Sequence, residues 1–351
     1  MSSRKPSLPA APPKHLTDVI TPMLTPCRED RSIDHDGVRN LIRWLKSRKV
    51  VRSVFVRSGT GGMWTLSVEE TKRLIETTVE EAAGEIGILA NCSGEFKGKL
   101  AERPDPKRYL DQSIELAAYA RDHGADAAVL VLPYPLAPKP GQAMEDLVFD
   151  YYKTVADAVD HPIFIYQTPG MPDEYHATAQ LMRRLVSLPQ ICGIKVSTDK
   201  HDVFDPVAEG VKDAPHFALI AGSEFFMLEA LKLGAVGVLG GGATTQPELL
   251  YAAKWHYDRG NLERAAEVQL EVTACEKAVS SLGPFSGSVR MVLLGQMGYP
   301  MGPYTRGRTV YGAGGGALPR RMDLFVEAAR QIIELFAGPY REAVQAGRDM
   351  P

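Results

Sequence analysis

A lysine stands near the end of a short β-branched run, Gln190-Ile191-Cys192-Gly193-Ile194-Lys195-Val196. Burying an ammonium is costly, and a lysine so placed escapes by losing its proton. The neutral amine is then a nucleophile for carbonyl carbons. One apolar run earlier, Ile163-Phe164-Ile165-Tyr166-Gln167-Thr168-Pro169 carries a tyrosine near its end. Two consecutive strands would bring Lys195 and Tyr166 to the same end of one sheet. An amine beside a phenol suits Schiff-base chemistry, with the phenol moving protons. Taken alone, Lys195 also fits a side chain reaching from a strand end to a surface ion pair.

A second candidate is Ser58-Gly59-Thr60-Gly61-Gly62, between a strand-like run and a helix start. Glycines let a backbone approach a ligand, and successive N–H groups form an anion nest. A small carboxylate suits that loop, with Thr60 adding a hydroxyl; a plain glycine-rich turn is the other reading. Ser67 with Glu70 behind it has the spacing of a capping box, which is structural. The eight histidines are scattered without HxH or HxxxH spacing, so no metal and no cofactor is expected. No GxSxG supports a serine nucleophile. Cys27, Cys92, Cys192 and Cys275 are far apart and read as free thiols of a reducing compartment, which makes a cytoplasmic location the expectation.

The elements that must position these residues alternate regularly. The β-type runs are Val19–Leu24, Arg52–Arg57, Ile86–Asn91, Ala127–Leu132, Ile163–Tyr166, Ile191–Val196, Phe217–Ala221 and Val236–Leu239. Helical periodicity follows each, at Asp36–Ser47, Val68–Ala83, Lys107–His123, Ala143–Val159, Ala177–Ser187, Asp205–Lys212, Glu224–Leu233 and Pro247–Asp258. Eight such units, several strands apolar on both faces, predict an α/β fold of the (β/α)8 TIM-barrel type. A doubly wound sheet alternates in the same way, but no GxGxxG follows the first run. In a barrel, strand C-termini converge on one mouth. That mouth gathers Lys195 with Ser197, Tyr166, Tyr134, the 58–62 loop, and Gly222-Ser223-Glu224.

Three further helices, Leu262–Ser281, Val289–Met297 and Pro319–Ala337, read as an appendix on the barrel. The expected organisation is a flexible tail over 1–15, a barrel over 16–260, packed helices over 261–340 and a tail over 341–351. Tyr311 and Arg308, beside the glycine-rich run Gly312–Gly316, can reach the mouth, a neighbouring copy, or only solvent. With 351 residues, 44% hydrophobic content and a net charge of −3, the composition is that of an ordinary soluble domain. It gives no electrostatic case for nucleic acid, and no run approaches a membrane span.

In this order the motifs resemble the dihydrodipicolinate synthase / N-acetylneuraminate lyase family of class I, Schiff-base-forming aldolases, over roughly residues 15 to 300. Ile20-Thr21-Pro22 resembles the opening strand, and the 58–62 loop with Thr65-Leu66-Ser67 and Glu69-Glu70 resembles the carboxylate-binding loop and its helix. Pro133-Tyr134 followed by Pro138 and Gly141 resembles the fourth strand end. Tyr166-Gln167-Thr168-Pro169 resembles YNxP, Gly193-Ile194-Lys195 resembles GxK, and Ala221-Gly222-Ser223-Glu224 resembles the seventh strand end.

The resemblance implies that Lys195 forms the imine with a 2-keto acid such as pyruvate and that Tyr166 relays protons. It implies that Thr60 and the amides around Gly59 and Gly61, with Ser58, hold the carboxylate. It also implies a homo-oligomer, commonly a dimer or tetramer. Three departures limit the substrate. The loop lacks one threonine and the glutamate of the usual GTTGE. Pro135 stands where the synthase has a second tyrosine, and Met171 where it has an arginine for a second carboxylate. Glu224 falls where sialic-acid-type lyases place an acid on sugar hydroxyls. The expected activity is therefore a lyase acting on a 2-keto-3-deoxy sugar acid, with an aldehyde as the other partner. A Schiff-base dehydratase or deaminase, and a non-catalytic keto-acid-binding barrel, are the alternatives.

Overall fold

Eight parallel strands, β1 (Asp18–Pro22), β2 (Val51–Val56), β3 (Gly87–Asn91), β4 (Ala127–Val131), β5 (Ile163–Gln167), β6 (Ile191–Val196), β7 (Ala218–Ala221) and β8 (Gly237–Val238), pair in chain order and close on β1. The structure is a computed structural model that describes residues 11–308, 313–314 and 322–351. Tyr311, most of the glycine-rich run, the Arg308 side chain and residues 1–10 of the expected tail lie outside the described residues.

The strands form because their residues are apolar on both faces. β4 and β5 are buried at every position, inward against the barrel interior and outward against helices. The helices between them are α1 (His35–Ser47), α2 (Val68–Ala82), α3 (Pro106–Asp122), α4 (Met144–Ala158), α5 (Ala179–Val186), α6 (His201–Val211), α7 (Met227–Lys232) and α8 (Pro247–Asp258). Local chemistry sets their starts. Asp34 caps α1 by accepting from the Gly37 amide at 3.1 Å, and Asp105 caps α3 ahead of Pro106. Ser67 and Glu70 form the expected capping box on α2. On α1 the buried residues Val38, Leu41, Ile42 and Leu45 make one stripe at helical spacing, facing the barrel.

Inside the barrel, Gly193 of β6 is a packing residue. A Cβ there would lie 2.6 Å from both the Ala218 carbonyl oxygen and Phe164 Cε2. The glycine therefore lets the Phe164 ring fill the layer beneath Lys195. Cys192, on the other face of β6, donates to the Ile163 carbonyl at 3.2 Å.

Some element bounds differ from the sequence reading. α6 starts at His201 rather than Asp205, and the segment expected as one helix from Glu224 begins with a 3-10 turn, Glu224–Phe226, before α7. β8 is only two residues long, because the chain passes at Gly240 into a 3-10 turn over Gly241–Thr244.

The appendix comprises α9 (Leu262–Ser280), α10 (Ser286–Gln296) and α11 (Met322–Ala346). α11 runs past Ala337, through Pro339, where a helix end was expected. Ala337, Tyr340 and Ala343 are all buried on this helix, and that packing outweighs the hydrogen bond lost at proline. The expected tail from 341 is thus helical to Ala346, and the Pro351 carbonyl lies 3.0 Å from His256 Nε2. Between α10 and α11, residues 300–306 cross α1 and α2. The Gly302 amide donates to Asp34 at 2.8 Å, and Arg306 grips Glu70 at 2.6 and 2.9 Å. That guanidinium holds the Glu70 carboxyl down at about 2.

Candidate active site

The register of β5 on β6 makes Tyr166 and Lys195 direct partners. Partners in a parallel pair share a face, and here that face is the barrel interior at the strands' C-terminal ends. Lys195 is 5% exposed and Tyr166 3%. Lys195 Nζ sits 4.7 Å from the centre of the Tyr166 ring and 5.9 Å from that of Phe55. Phe55 meets Tyr166 edge to face at 5.4 Å, so two rings wall in the amine.

Lys195 and Tyr166 open onto a cavity of about 1250 Å³. Gly59, Thr60, Ser197, Gly222 and Glu224 line it as well, so seven of the nine candidate residues converge. Ser58 and Gly61 do not. Ser58 is fully buried, donates its hydroxyl to the Met23 carbonyl at 2.9 Å and accepts from the Gly61 amide at 3.1 Å. A Gly61 amide turned inward cannot bind a carboxylate. The loop is a folded turn whose outer edge presents the Gly59 and Thr60 amides, which donate to no other described residue, and the Thr60 hydroxyl, which lies 2.9 Å from the Ser58 hydroxyl and 3.4 Å from the Pro22 carbonyl. A Cβ on Gly59 would lie 3.0 Å from the Tyr166 hydroxyl, so the glycine keeps a loop side chain off that phenol. Gly222 has a backbone reason: its Cβ would meet the Val196 carbonyl at 2.5 Å.

The cavity wall at the other candidate positions is informative. Met171 lines it and is buried, which puts a thioether where the resemblance would have a cation. Arg183 is not available to replace that cation, since it pairs with Glu209 at 3.3 Å on the surface. Tyr134 does not line the cavity and sits in a ring cluster with Trp64 and Phe96, at 6.1 and 5.8 Å. The thiols are poor rival nucleophiles: burial pushes Cys92, Cys192 and Cys275 up to about 12 and raises Cys27. Among the described residues no group of three or more His, Cys, Asp or Glu could hold a metal ion, and no helix is long and apolar enough to cross a membrane.

Sequence reasoning missed three residues. Arg57 ends β2 with a left-handed φ of 54° and is 1% exposed. It donates to the Ser93 carbonyl at 2.6 Å and lies 3.4 Å from that of Leu66, tying the loops after β2 and β3 together. An arginine at the end of a strand carries no local mark of such burial. Glu276 of α9 and Arg290 of α10 also reach the cavity wall, each from a helix outside the barrel. Arg290 holds both Glu276 oxygens at 2.6 Å and donates to Thr245 at 3.0 Å.

Comparison with known proteins agrees with this architecture. The sequence model of the dihydrodipicolinate synthetase family matches residues 15–307. An uncharacterized DapA-like lyase of Pyrococcus horikoshii is 28% identical, over 82% of this chain and 92% of its own. A 4-hydroxy-tetrahydrodipicolinate synthase of Ralstonia nicotianae is 27% identical, over 78% and 90%. Among solved structures, the dihydrodipicolinate synthase of Bacteroides thetaiotaomicron superposes with a TM-score of 0.74 at 25% identity, covering 90% of this chain and 98% of its own. The sialic acid aldolase of Ruminococcus gnavus shares the fold with a TM-score of 0.78 at 18% identity, over 93% and 99%. With a family match spanning the whole barrel, the chain belongs to the dihydrodipicolinate synthetase family and is a carbon–carbon lyase of that type.

Proposed function

We infer that the protein is a pyruvate-dependent class I aldolase, which cleaves or forms a C–C bond of a 2-keto-3-deoxy sugar acid through an imine on Lys195. The observation that carries this reading is the register pairing of Lys195 with Tyr166 at the mouth of one large cavity. Attack requires the unprotonated amine, the form that exclusion of water favours. In the cleavage direction, Lys195 Nζ adds to the C2 carbonyl, and the oxygen leaves as water to give an iminium. Tyr166 takes the proton of the C4 hydroxyl as the C3–C4 bond breaks. The bonding pair moves into the enamine, an aldehyde departs, C3 is reprotonated, and water releases pyruvate. The Thr60 hydroxyl and the Gly59 and Thr60 amides hold the keto-acid carboxylate.

The second partner is argued from charge. Met171 offers no cation to a second carboxylate, and Glu224 on the same wall repels one while its oxygens accept from hydroxyls. Condensation of pyruvate with glyceraldehyde or a pentose is therefore expected to outrun condensation with aspartate semialdehyde, read as the ratio of the two specificity constants. A preference for the semialdehyde overturns the sugar-acid reading. One observation favours a second reading on the same imine. Gly59 brings no side chain to the Tyr166 hydroxyl, where the resemblance would place a threonine of the proton relay. A dehydratase or deaminase does without that relay, and product analysis separates the two, since pyruvate plus an aldehyde forms only if a C–C bond breaks.

A further inference from the structure

One wall of the cavity carries a buried cluster of three charged residues from three different elements. Glu224 comes from the turn after β7, Glu276 from α9 and Arg290 from α10, and each is no more than 5% exposed. The glycines after β8 make this packing possible. A Cβ on Gly240 would overlap Glu224 Oε2. One on Gly241 would lie 3.3 Å from Arg290 and 3.4 Å from Glu276, and one on Gly242 would lie 3.3 Å from an oxygen of each glutamate. The Gly242 amide donates to Glu224 at 2.7 Å.

Arg290 is the only arginine among the described residues lining the cavity. Its Nη2 hydrogens are turned onto the Glu276 carboxyl and its Nη1 onto Thr245. An arginine grips a substrate carboxylate with a fork of parallel N–H groups, and here Glu276 takes one nitrogen of that fork and Thr245 the other. Burial pushes the Glu276 carboxyl up to about 8, against the pull of Arg290 and helped by Glu224. Two carboxyl groups stand against one guanidinium, so the cluster has no cation to spare. Such a patch accepts hydrogen bonds from a chain of hydroxyls, and it offers a second carboxylate no attraction.

We propose that Glu276 is a specificity-determining residue, which by occupying Arg290 beside Glu224 makes the distal wall of the cavity select neutral hydroxyl-bearing aldehydes over those with a second carboxylate. It acts through Arg290 and is a positioning residue. The proposal rests on the aldolase reading above, and its test keeps the two apart. Pyruvate trapping by borohydride reports the Lys195 imine, and the ratio of kcat/KM for glyceraldehyde against succinic semialdehyde reports the distal wall.

Glu276→Ala removes the carboxyl that occupies Arg290 and frees the Nη2 hydrogens for a second carboxylate. Trapping is expected to persist while the ratio shifts toward the semialdehyde by at least about tenfold. Glu276→Gln, which keeps the shape, is expected to shift it in the same direction and carries the test if Glu276→Ala does not fold. Adding Arg290→Ala to either variant is expected to abolish the gain, because no cation then remains for the second carboxylate. A merely structural role would lower both substrates together and leave the ratio in place. Trapping with an unchanged ratio, or a gain that survives loss of Arg290, overturns the proposal and leaves the aldolase reading intact. Absence of trapping in the parent protein overturns both.

Discussion

Incubating the protein with pyruvate and borohydride is expected to attach one reduced three-carbon acid to Lys195 and to no other lysine. Intact mass gives the stoichiometry and peptide mapping the site. The selectivity follows from position. Lys195 is walled by the Phe55 and Tyr166 rings at the inner end of the cavity, whereas Lys200, the other lysine on the cavity wall among the described residues, is exposed. Of the two, only Lys195 has the Tyr166 phenol as its register partner. Lys195→Arg should abolish the adduct, since a guanidinium is not a nucleophile under these conditions. Turnover should fall by a factor on the order of 10⁴ to 10⁶, the scale on which removing a covalent nucleophile acts. A label on another lysine, or none with any 2-keto acid, removes the basis for an imine mechanism.

The second large effect is expected at the phenol. Tyr166→Phe removes one oxygen and keeps the ring that meets Phe55 edge to face, so packing around Lys195 is preserved. Imine trapping should therefore survive, while kcat falls by roughly 10²- to 10⁴-fold, the usual range for a positioned acid–base group. That split between retained trapping and lost turnover separates proton transfer from packing. Turnover within a few-fold of the parent would reassign Tyr166 to the wall, and the proton would need another carrier, such as Ser197 or Thr198.

The meeting of Lys195 and Tyr166 at one end of the barrel was legible in the sequence because its signals are local. Lys195 and Tyr166 each sit at the end of an apolar run, and consecutive parallel strands put run ends side by side. The capping box on α2 was legible for the same reason. What stayed hidden depends on tertiary contact. The orientation of the Gly61 amide follows from the buried Ser58 hydroxyl, which no residue pattern announces. Continuation of α11 through Pro339 follows from what Ala337, Tyr340 and Ala343 pack on, and periodicity alone ends the helix earlier. Glu276 and Arg290 lie on helices whose charged residues would ordinarily be placed on a solvated face. Nothing in the order of residues says that those helices point into the mouth.

The two-residue strand β8 gives that last feature a wider meaning. Because β8 stops at Val238 and hands over to a glycine turn, the wall of the mouth is thin there, and side chains from α9 and α10 pass into the cavity from outside. The molecule is thus divided by labour as well as by chain order. The barrel strands carry Lys195 and Tyr166, and the appended helices carry Glu276 and Arg290 on the wall of the same cavity. On the proposed reading, such an arrangement would let lineages, or a protein engineer, exchange the α9–α10 segment as a cassette and alter that wall, while the strand ends that carry Lys195 and Tyr166 stay as they are.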